Sequence, residues 1–505
     1  MKKLVSLLLA AVLLGSFAAC SESPAAEEEA SAPAEVSPAA EVEEPAPEED
    51  NGNGRSGAVD SLPGDLDFGG KTLNILSRGG DLDTTTEFYA EEMTGDVVND
   101  AVFQRNAAVD ERLNGVMNVI LDTSASRHSG IGDKVRSAVA AGTGDYDFVA
   151  NAMYNTMPLT MDNILLPLND LPYLDFAQPW YNAAFLTNTD FNGKNYCVMG
   201  ELSQTMISGA FSMFFNKNLL SEFYQDDVNL YAIVNEGAWT IDKMTSLCEP
   251  VYTDANGNGT PDEGDIFGHY FTDTKTLGAD SFFGASHVNF IEKTEDGSFR
   301  YNGKGERMDA FLEKMHRLLF ENNNTLRLPY NNEQIMDTMI AHQTIFTTWM
   351  LTGVNYLRDM EDDFGVIPMP KLDEAQENYS AYTHDGSSAF SIPSTEADPA
   401  FVAAYLEALS AETYRLVTPA YFETALKAKY SRDSETSQML DIIVGGIYQD
   451  LTYIYGQNLG TPIDTIRGFL GDASSCENAS SRLASLEKST VKMAEMLATK
   501  YDKLK

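Results

Sequence analysis

The sequence predicts an α/β fold of two lobes, each assembled from discontinuous stretches of chain. Three observations carry that prediction. An opening run of strand, helix, strand, helix and strand has links short enough for a parallel sheet with right-handed crossovers. From about Leu62 onward some 440 residues have a globular composition, too many for one ordinary domain and comfortable for two. The strands and helices that follow do not continue the first sheet, and no repeat of fixed period appears.

The elements follow in order. In "KTLNILSRGG", Leu73 and Ile75 alternate with Asn74 and the run breaks at Gly79-Gly80, as a strand ending in a tight loop does. "DVVNDAVFQRNAAVDERLNG" carries Val98, Val102, Val109 and Leu113 at helical spacing, with Gly115 as the expected stop. "VMNVIL" reads as a strand, "GDKVRSAVAAGTG" as a short helix ending near Gly142, and "DYDFVANA" as a third strand. Ligands collect at the carboxyl ends of strands in such sheets, so Ser77, Arg78 and the stretch from Asn151 to Asn155 are pocket candidates on geometry alone. Further strands are expected in "NYCVMGE", in "ISGAFSMFFNKNLLSEF" before its helix, and in "DDFGVIPMPK" and "SSAFSIPS". Helices are expected from Thr240, across "RMDAFLEKMHRLLFEN", and through most of the chain beyond Pro399.

The amino terminus reads as an export signal. Lys2 and Lys3 precede an apolar stretch from Leu4 to Phe17, and Ala18-Ala19-Cys20 forms a small-residue processing site. That apolar stretch is too short for an ordinary membrane span. Residues 21–61 follow as a Pro/Ala/Glu-rich tether, in which twelve acidic side chains face the single Arg55 before Ser61; such a segment has little apolar surface to bury and is expected to be disordered. Gly52, Gly54 and Gly57 match a dinucleotide-binding spacing, but no strand precedes them and no helix follows, so the match carries nothing. The net charge of −42 repels nucleic acid. Besides Cys20, Cys197, Cys248 and Cys476 form an odd set that matches no zinc spacing, and packing cysteines are expected.

"DANGNGTPDEGD" has the pattern of a calcium loop. Asp254, Asn256, Asn258, Thr260, Asp262 and Asp265 fall on ligand positions one, three, five, seven, nine and twelve, and Gly259 takes the sixth, where the turn is sharpest. Pro261 replaces an apolar residue, Asp265 replaces a longer bidentate Glu, and the segment beyond looks like a strand. The expectation is a structural calcium site bracing the second lobe, with an acidic surface turn as the alternative.

The Cys20 motif, "VVNDAVFQRNAAVDERLN", "GTGDYDFV", "LPLNDLPYLDFAQPWYN", "NGKNYCVMGE", "FFNKNLL", "AWTIDKM", "DFGVIPMPK" and "PAYFETALKAKYSRDSETSQMLDII" together resemble extracellular solute-binding lipoproteins of ABC importers. The type is the family 1, maltose-binding-protein-like group, in a variety found in Gram-positive gut bacteria. The likeness spans Gly70 to Leu451, and the order of the motifs carries it. It implies lipidation at Cys20 and anchoring on the extracellular face of the cell membrane. It also implies a periplasmic-binding-protein type II fold in which crossing hinge strands join the lobes. The first lobe is expected over residues 62–208 and 346–392, and the second over 209–345 and 393–505. Crossings are expected at Ile207 to Asn216, Ile345 to Met350 and Ser391 to Ser394.

The resemblance further implies a monomeric receptor that closes on a small molecule, a carbohydrate above all, and passes it to permease subunits. It implies no catalysis and no cofactor, and no catalytic motif is evident in the sequence. Trp349 at the second expected crossing and Trp180 after "AQP" offer flat rings to sugar C–H faces. Asn151, Tyr154 and Asn155 offer groups that bond hydroxyls in both directions. Arg78 and Asp385 complete the expected ligand-binding set. Because Arg78 would clamp a carboxylate as readily as a hydroxyl, a peptide or other anionic small molecule stays open as the alternative ligand. A glycoside hydrolase, which needs two facing carboxylates, and a surface adhesin are the rivals from other classes.

Overall fold

The computed structural model of the chain describes residues 55–80, 84–124, 127–225, 227–272, 277–329, 336–421 and 434–504. The export signal, Cys20, the tether up to residue 54 and the stretch 422–433 lie outside these residues. The strands are β1 (Lys71–Arg78), β2 (Gly115–Asp122), β3 (Phe148–Ala152), β4 (Phe211–Asn216), β5 (Phe267–Thr272), β6 (Ile291–Lys293), β7 (Phe299–Tyr301), β8 (Thr325–Leu328), β9 (Thr344–Met350), β10 (Phe364–Pro368) and β11 (Ser388–Ser391). They form a four-stranded sheet ordered β11-β3-β1-β2, a five-stranded sheet ordered β10-β4-β9-β5-β8, and a small β6-β7 hairpin.

The first sheet follows from the periodicity of its opening segment. β1, β2 and β3 run parallel, linked by α1 (Val97–Leu113) and α2 (Arg127–Ala141), and β11 joins antiparallel beside β3. At the start of α1 the Asp96 side chain accepts the N–H groups of Val98 and Asn99, which the first helical turn otherwise leaves unbonded. Its end differs from expectation. Asn114 takes the left-handed turn at φ 46°, and Gly115 already begins β2, where a Cβ would lie 2.2 Å from the Tyr405 hydroxyl oxygen. The glycine is required by close approach here, not by the turn.

Alternating side chains give this sheet two faces. Leu73, Ile75, Phe148 and Phe390 pack with Phe401, Tyr405 and Leu409 of the helix Pro399–Glu412. On the other face Leu76 and Val149 meet Ile131, Val135, Met153 and Met157 from α2 and α3 (Met153–Met161), in an apolar cluster that continues into the second lobe. The segment "NYCVMGE" contributes no full strand; it makes isolated bridges from Val198 to Phe390 and from Gly200 to Tyr181.

The strands that return to each sheet divide the chain differently from the sequence expectation. β9 is buried along its whole length between β4 and β5, and β10 pairs with β4, so residues 346–368 sit with the second sheet rather than the first. The β-branched and aromatic run of β9 suits the centre of either sheet, and its pairing partners decide. The helix Pro399–Glu412, expected in the second lobe, packs on the first sheet, whereas the helix Ser434–Gly445 packs on β10. Among the described residues the chain therefore passes between the lobes at 208–211 and at 381–388.

The first two of these passages cross one another. Phe211 donates its N–H to the Tyr382 carbonyl at 3.0 Å, and His384 donates to that of Gly209 at 2.9 Å. Gly209 has no room for a side chain, because a Cβ would lie 2.6 Å from the Thr205 carbonyl oxygen and 2.9 Å from the Thr383 hydroxyl. Behind the crossing, Glu87 is fully buried and accepts from the Thr205 hydroxyl at 2.7 Å, the Thr205 N–H at 3.2 Å and the Ser388 hydroxyl at 2.6 Å. One carboxylate thereby ties the hinge residue Thr205 to β11.

Residues 55–61, expected to belong to the tether, are packed against the first lobe. Arg55 pairs with Glu201 at 2.6 Å and lies 4.2 Å from the Tyr414 ring centre. Asp60 takes a two-pronged contact from Arg112 at 2.7 and 2.8 Å and a third bond from Arg415 at 2.9 Å. Burial works to raise the Asp60 pKa, but Arg112 and then Arg415 outweigh it and hold the carboxyl at about 2. A depressed carboxyl stabilises the fold fully above its unfolded pKa near 3.8 and loses that contribution as pH falls toward 2. Asp60→Asn is therefore expected to cost about 1–3 kcal/mol at neutral pH. In denaturant titrations the gap between wild type and variant should shrink from pH 5 down to pH 2; a pH-independent gap would contradict the ion-pair account.

Candidate functional site

The expected residues gather where the first sheet ends. Parallel pairing of Ser77 with Ala150 brings the next residues, Arg78 and Asn151, side by side at the carboxyl edges of β1 and β3. α3 starts directly after β3, and its N-cap Ala152 has no side-chain oxygen to serve the first helical N–H groups. The loop ahead of β11 serves them instead: Met153 donates its N–H to the Ser387 carbonyl at 2.8 Å, and Tyr154 donates to that of Asp385 at 3.2 Å. Arg78, 1% exposed, donates to the Gly386 carbonyl. Arg78, Asn151, Tyr154, Asn155 and Asp385 are thus brought to one edge by local chain direction and this shared loop.

The second lobe meets that edge. Gln457 donates from Nε2 to the Tyr154 carbonyl at 2.8 Å, and the Asp385 backbone lies against the Tyr453 hydroxyl. Tyr453 stacks on Tyr382 with ring centres 4.3 Å apart. The Tyr382 hydroxyl in turn donates to Asp450, whose carboxyl burial pushes up to about 6. Nearby, Arg467 bonds both oxygens of the fully buried Asp280 and reaches Asp464 at 2.7 Å. Burial drives the Asp280 carboxyl up, to about 7, and Arg467 opposes it. The two-pronged contact keeps this an ion pair, and Asp385 is close enough to add to the upward pressure on Asp280.

The unsatisfied groups are the informative ones, since buried polar atoms are nearly always hydrogen-bonded. Asn151 is fully buried, and neither its amide nitrogen nor its amide oxygen has a partner. The Asn155 amide nitrogen and the Trp349 indole nitrogen are likewise buried without one. Trp349 stands on the second lobe, opposite Ser212 at the end of β9, and the following Leu351 donates to Ala210 at the crossing. An amide left dry costs stability unless something occupies it, so Asn151 keeps the capacity to bond a group that both donates and accepts.

Trp180 is not part of this arrangement. It is fully buried in the first-lobe core, with its ring 6.3 Å from Tyr181 and 6.0 Å from Tyr414. Tyr414 is supplied by distant chain, which the "AQP" context could not reveal. Asp280, Arg467, Tyr453 and Gln457 escaped the sequence reading. The one usable signal was the aspartate inside the small and aromatic run "LGADSFFGA", where a charge must be paired to be buried. A concavity of about 690 Å³ lies on the second lobe and is lined by Asp242, Leu312, His316 and Glu477.

The loop Asp254–Asp265 is closed at its base by the Thr253–Ile266 bridge and leads into β5. Asp254 accepts from the N–H groups of Gly257 and Gly259 at 2.7 and 2.9 Å. Asp262 takes the Asn256 and Asn258 amides at 2.7 and 2.6 Å, and the Thr260 N–H bonds Asn258. Asp265 is fully buried, accepting from the Ala255 N–H at 3.1 Å and the Tyr252 hydroxyl at 3.2 Å. The donor set is hard oxygen at alternate positions, which fits calcium in kind. Among the described residues no group of three or more His, Cys, Asp or Glu is gathered closely enough to hold a metal. Cys197, Cys248 and Cys476 are all buried and unpaired with one another.

No family model and no curated protein matches the chain by sequence. Solved structures do match by fold. The cyclo/maltodextrin-binding protein complexed with maltotetraose has a TM-score of 0.56 at 11% identity, over 85% of this chain and 97% of that one. The galacto-N-biose-/lacto-N-biose I-binding protein of the ABC transporter from Bifidobacterium longum has a TM-score of 0.55 at 11% identity, over 85% and 98%. A family 1 extracellular solute-binding protein from Bifidobacterium longum subsp. infantis has a TM-score of 0.50 at 13% identity, over 86% and 100%. All three are binding proteins. The chain has the two-lobed α/β fold of these solute-binding proteins, with its candidate site where the lobes meet.

Proposed function

We propose that the protein is a lipid-anchored extracellular receptor that takes a sugar or short oligosaccharide between its lobes and delivers it to the membrane subunits of an ABC importer. The fully buried Asn151 amide with no partner, at the meeting of the lobes, is the observation that carries this reading. A sugar hydroxyl donates and accepts, which is what an amide requires. Arg78, Tyr154, Asn155 and Asp385 border the same edge, and Trp349 approaches from the second lobe. The binding-protein fold supports capture without catalysis and without a cofactor. Cys20 is the proposed lipidation site and monomeric action the proposed state. No helix among the described residues is long and apolar enough to cross a membrane.

The proposed work is two-state: the lobes close about the crossing at 209–211 and 382–384, and a ligand shifts the balance by bonding groups that only the closed form brings together. Calcium in the loop Asp254–Asp265 is proposed as a brace on the second lobe, held by oxygens of Asp254, Asn256, Asn258, Thr260, Asp262 and Asp265, with no part in capture.

Two outcomes follow. Calorimetric titration with neutral sugars should give saturable binding, and Asn151→Leu should weaken it by about 10- to 100-fold. The melting temperature of the ligand-free variant should hold or rise, since an unpartnered amide has been removed; unchanged affinity would overturn the reading. Calcium should raise the melting temperature by mass action, and Asp254→Ala should abolish that increment while sugar affinity, measured well below melting, stays constant. Loss of sugar binding in EDTA by a protein that remains folded would place the ion in the binding site instead.

A further inference from the structure

We infer that the carboxyl-terminal helix Ala479–Tyr501 is a clasp between the lobes, closed by Tyr501, which holds them together when no ligand is bound. The inference rests on the two-state reading above for its moving hinge and leaves the ligand aside. With 23 residues the helix is about 34 Å long, enough to reach from one lobe to the other. Its first half belongs to the second lobe. The Leu483 carbonyl accepts the Tyr301 hydroxyl of β7 at 2.7 Å, and Glu487 pairs with Lys304. Its last turn reaches the first lobe. There the Tyr501 ring stacks on Phe191, with centres 4.2 Å apart and planes 9° from parallel, and lies 5.6 Å from the Tyr196 ring. The Phe191–Val198 stretch is fixed to the first sheet, because Leu168 donates to the Asn195 carbonyl and Val198 bridges to Phe390 of β11. Tyr455 completes the cluster, edge-on to Phe191 at 5.8 Å and hydroxyl to hydroxyl with Tyr501. All four rings are buried.

These rings come from both lobes and cover one another, so parting the lobes exposes them to water. Aromatic side chains bury a large apolar area, and stacked or edge-on pairs add to what that burial supplies. Two polar contacts frame the cluster. Lys293 of β6 donates to the Asp190 carbonyl at 3.0 Å, and its ammonium lies 5.1 Å from the Phe191 ring centre. Asn192 donates its amide to Asp502, the residue after Tyr501. None of these residues belongs to the candidate site, so the clasp acts whether or not a ligand is present. A ligand's apparent affinity scales with the fraction of molecules already in the form that binds it. By setting the balance of the empty protein between its two states, the clasp therefore tunes capture from outside the site.

The test measures lobe separation in the full chain with no ligand added. Nitroxides are attached at Ser137→Cys on α2 and Ser246→Cys on the helix Ile241–Cys248, both exposed positions. Cys20→Ser leaves Cys197, Cys248 and Cys476, which are buried. Double electron–electron resonance should give one dominant short distance when the clasp is intact. In Tyr501→Ala a second, longer distance should appear, with the ratio of long to short rising by about 10-fold or more. Tyr501→Leu, which keeps an apolar side chain but loses the stacked ring, should fall between the two. It carries the test if the alanine variant does not melt cooperatively. An intact clasp that already spreads over both distances overturns the inference and leaves the hinge standing. If the variants keep the short distance, urea below the melting transition separates two failures. Lobes that part in urea overturn the clasp alone, and lobes that never part before unfolding overturn the moving hinge with it.

Discussion

The two lobes depend on one backbone crossing. Where residues 209–211 pass 382–384, the chain makes paired N–H to carbonyl bonds at 3.0 and 2.9 Å, and a glycine is needed for the strands to come so close. Everything that defines the site is indexed to this point. Thr383 and Ser387 both bond the Thr205 carbonyl, and Glu87 fastens Thr205 to Ser388. The 385–387 loop then leaves the crossing at a fixed angle to cap α3 and engage Arg78. A buried carboxylate that gathers several donors is costly to disturb, because any partner removed leaves a charge unsolvated.

Some of this was legible in the sequence. The alternation in "KTLNIL" and the helical spacing of Val102, Val109 and Leu113 predicted β1 and α1, and the rule that ligands collect at strand ends led to Arg78 and Asn151. These signals are local, carried by neighbours within a few residues. The lobe boundaries were not legible. β9 is buried on both faces, a property of any central strand, and nothing in "TIFTTWM" says which sheet it will enter. Trp180 was misleading for a related reason: its loop context looks open, and the side chain that helps enclose it, Tyr414, comes from far along the chain.

The Asp280–Arg467 pair shows the same limit from the side of chemistry. The partners lie 187 residues apart, and in sequence each is one charged residue among many. Only the fold reveals that the guanidinium is consumed by two carboxylates before a ligand arrives. The meaning of Arg78 changes likewise. As a residue type it invites an anion, yet its engagement with the Gly386 carbonyl makes it a strut of the loop. The Asn151 amide, buried there with neither of its atoms hydrogen-bonded, gives the proposed site its capacity for a group that both donates and accepts.

The most direct measurement is a crystal structure of the protein with a neutral disaccharide that saturates it in solution. The account predicts the sugar between the lobes, with hydroxyls within hydrogen-bonding distance of both amide atoms of Asn151 and with the Trp349 indole turned toward it. A sugar lodged elsewhere, for instance in the concavity of about 690 Å³ beside Leu312 and Glu477, with the Asn151 amide still dry, would contradict it.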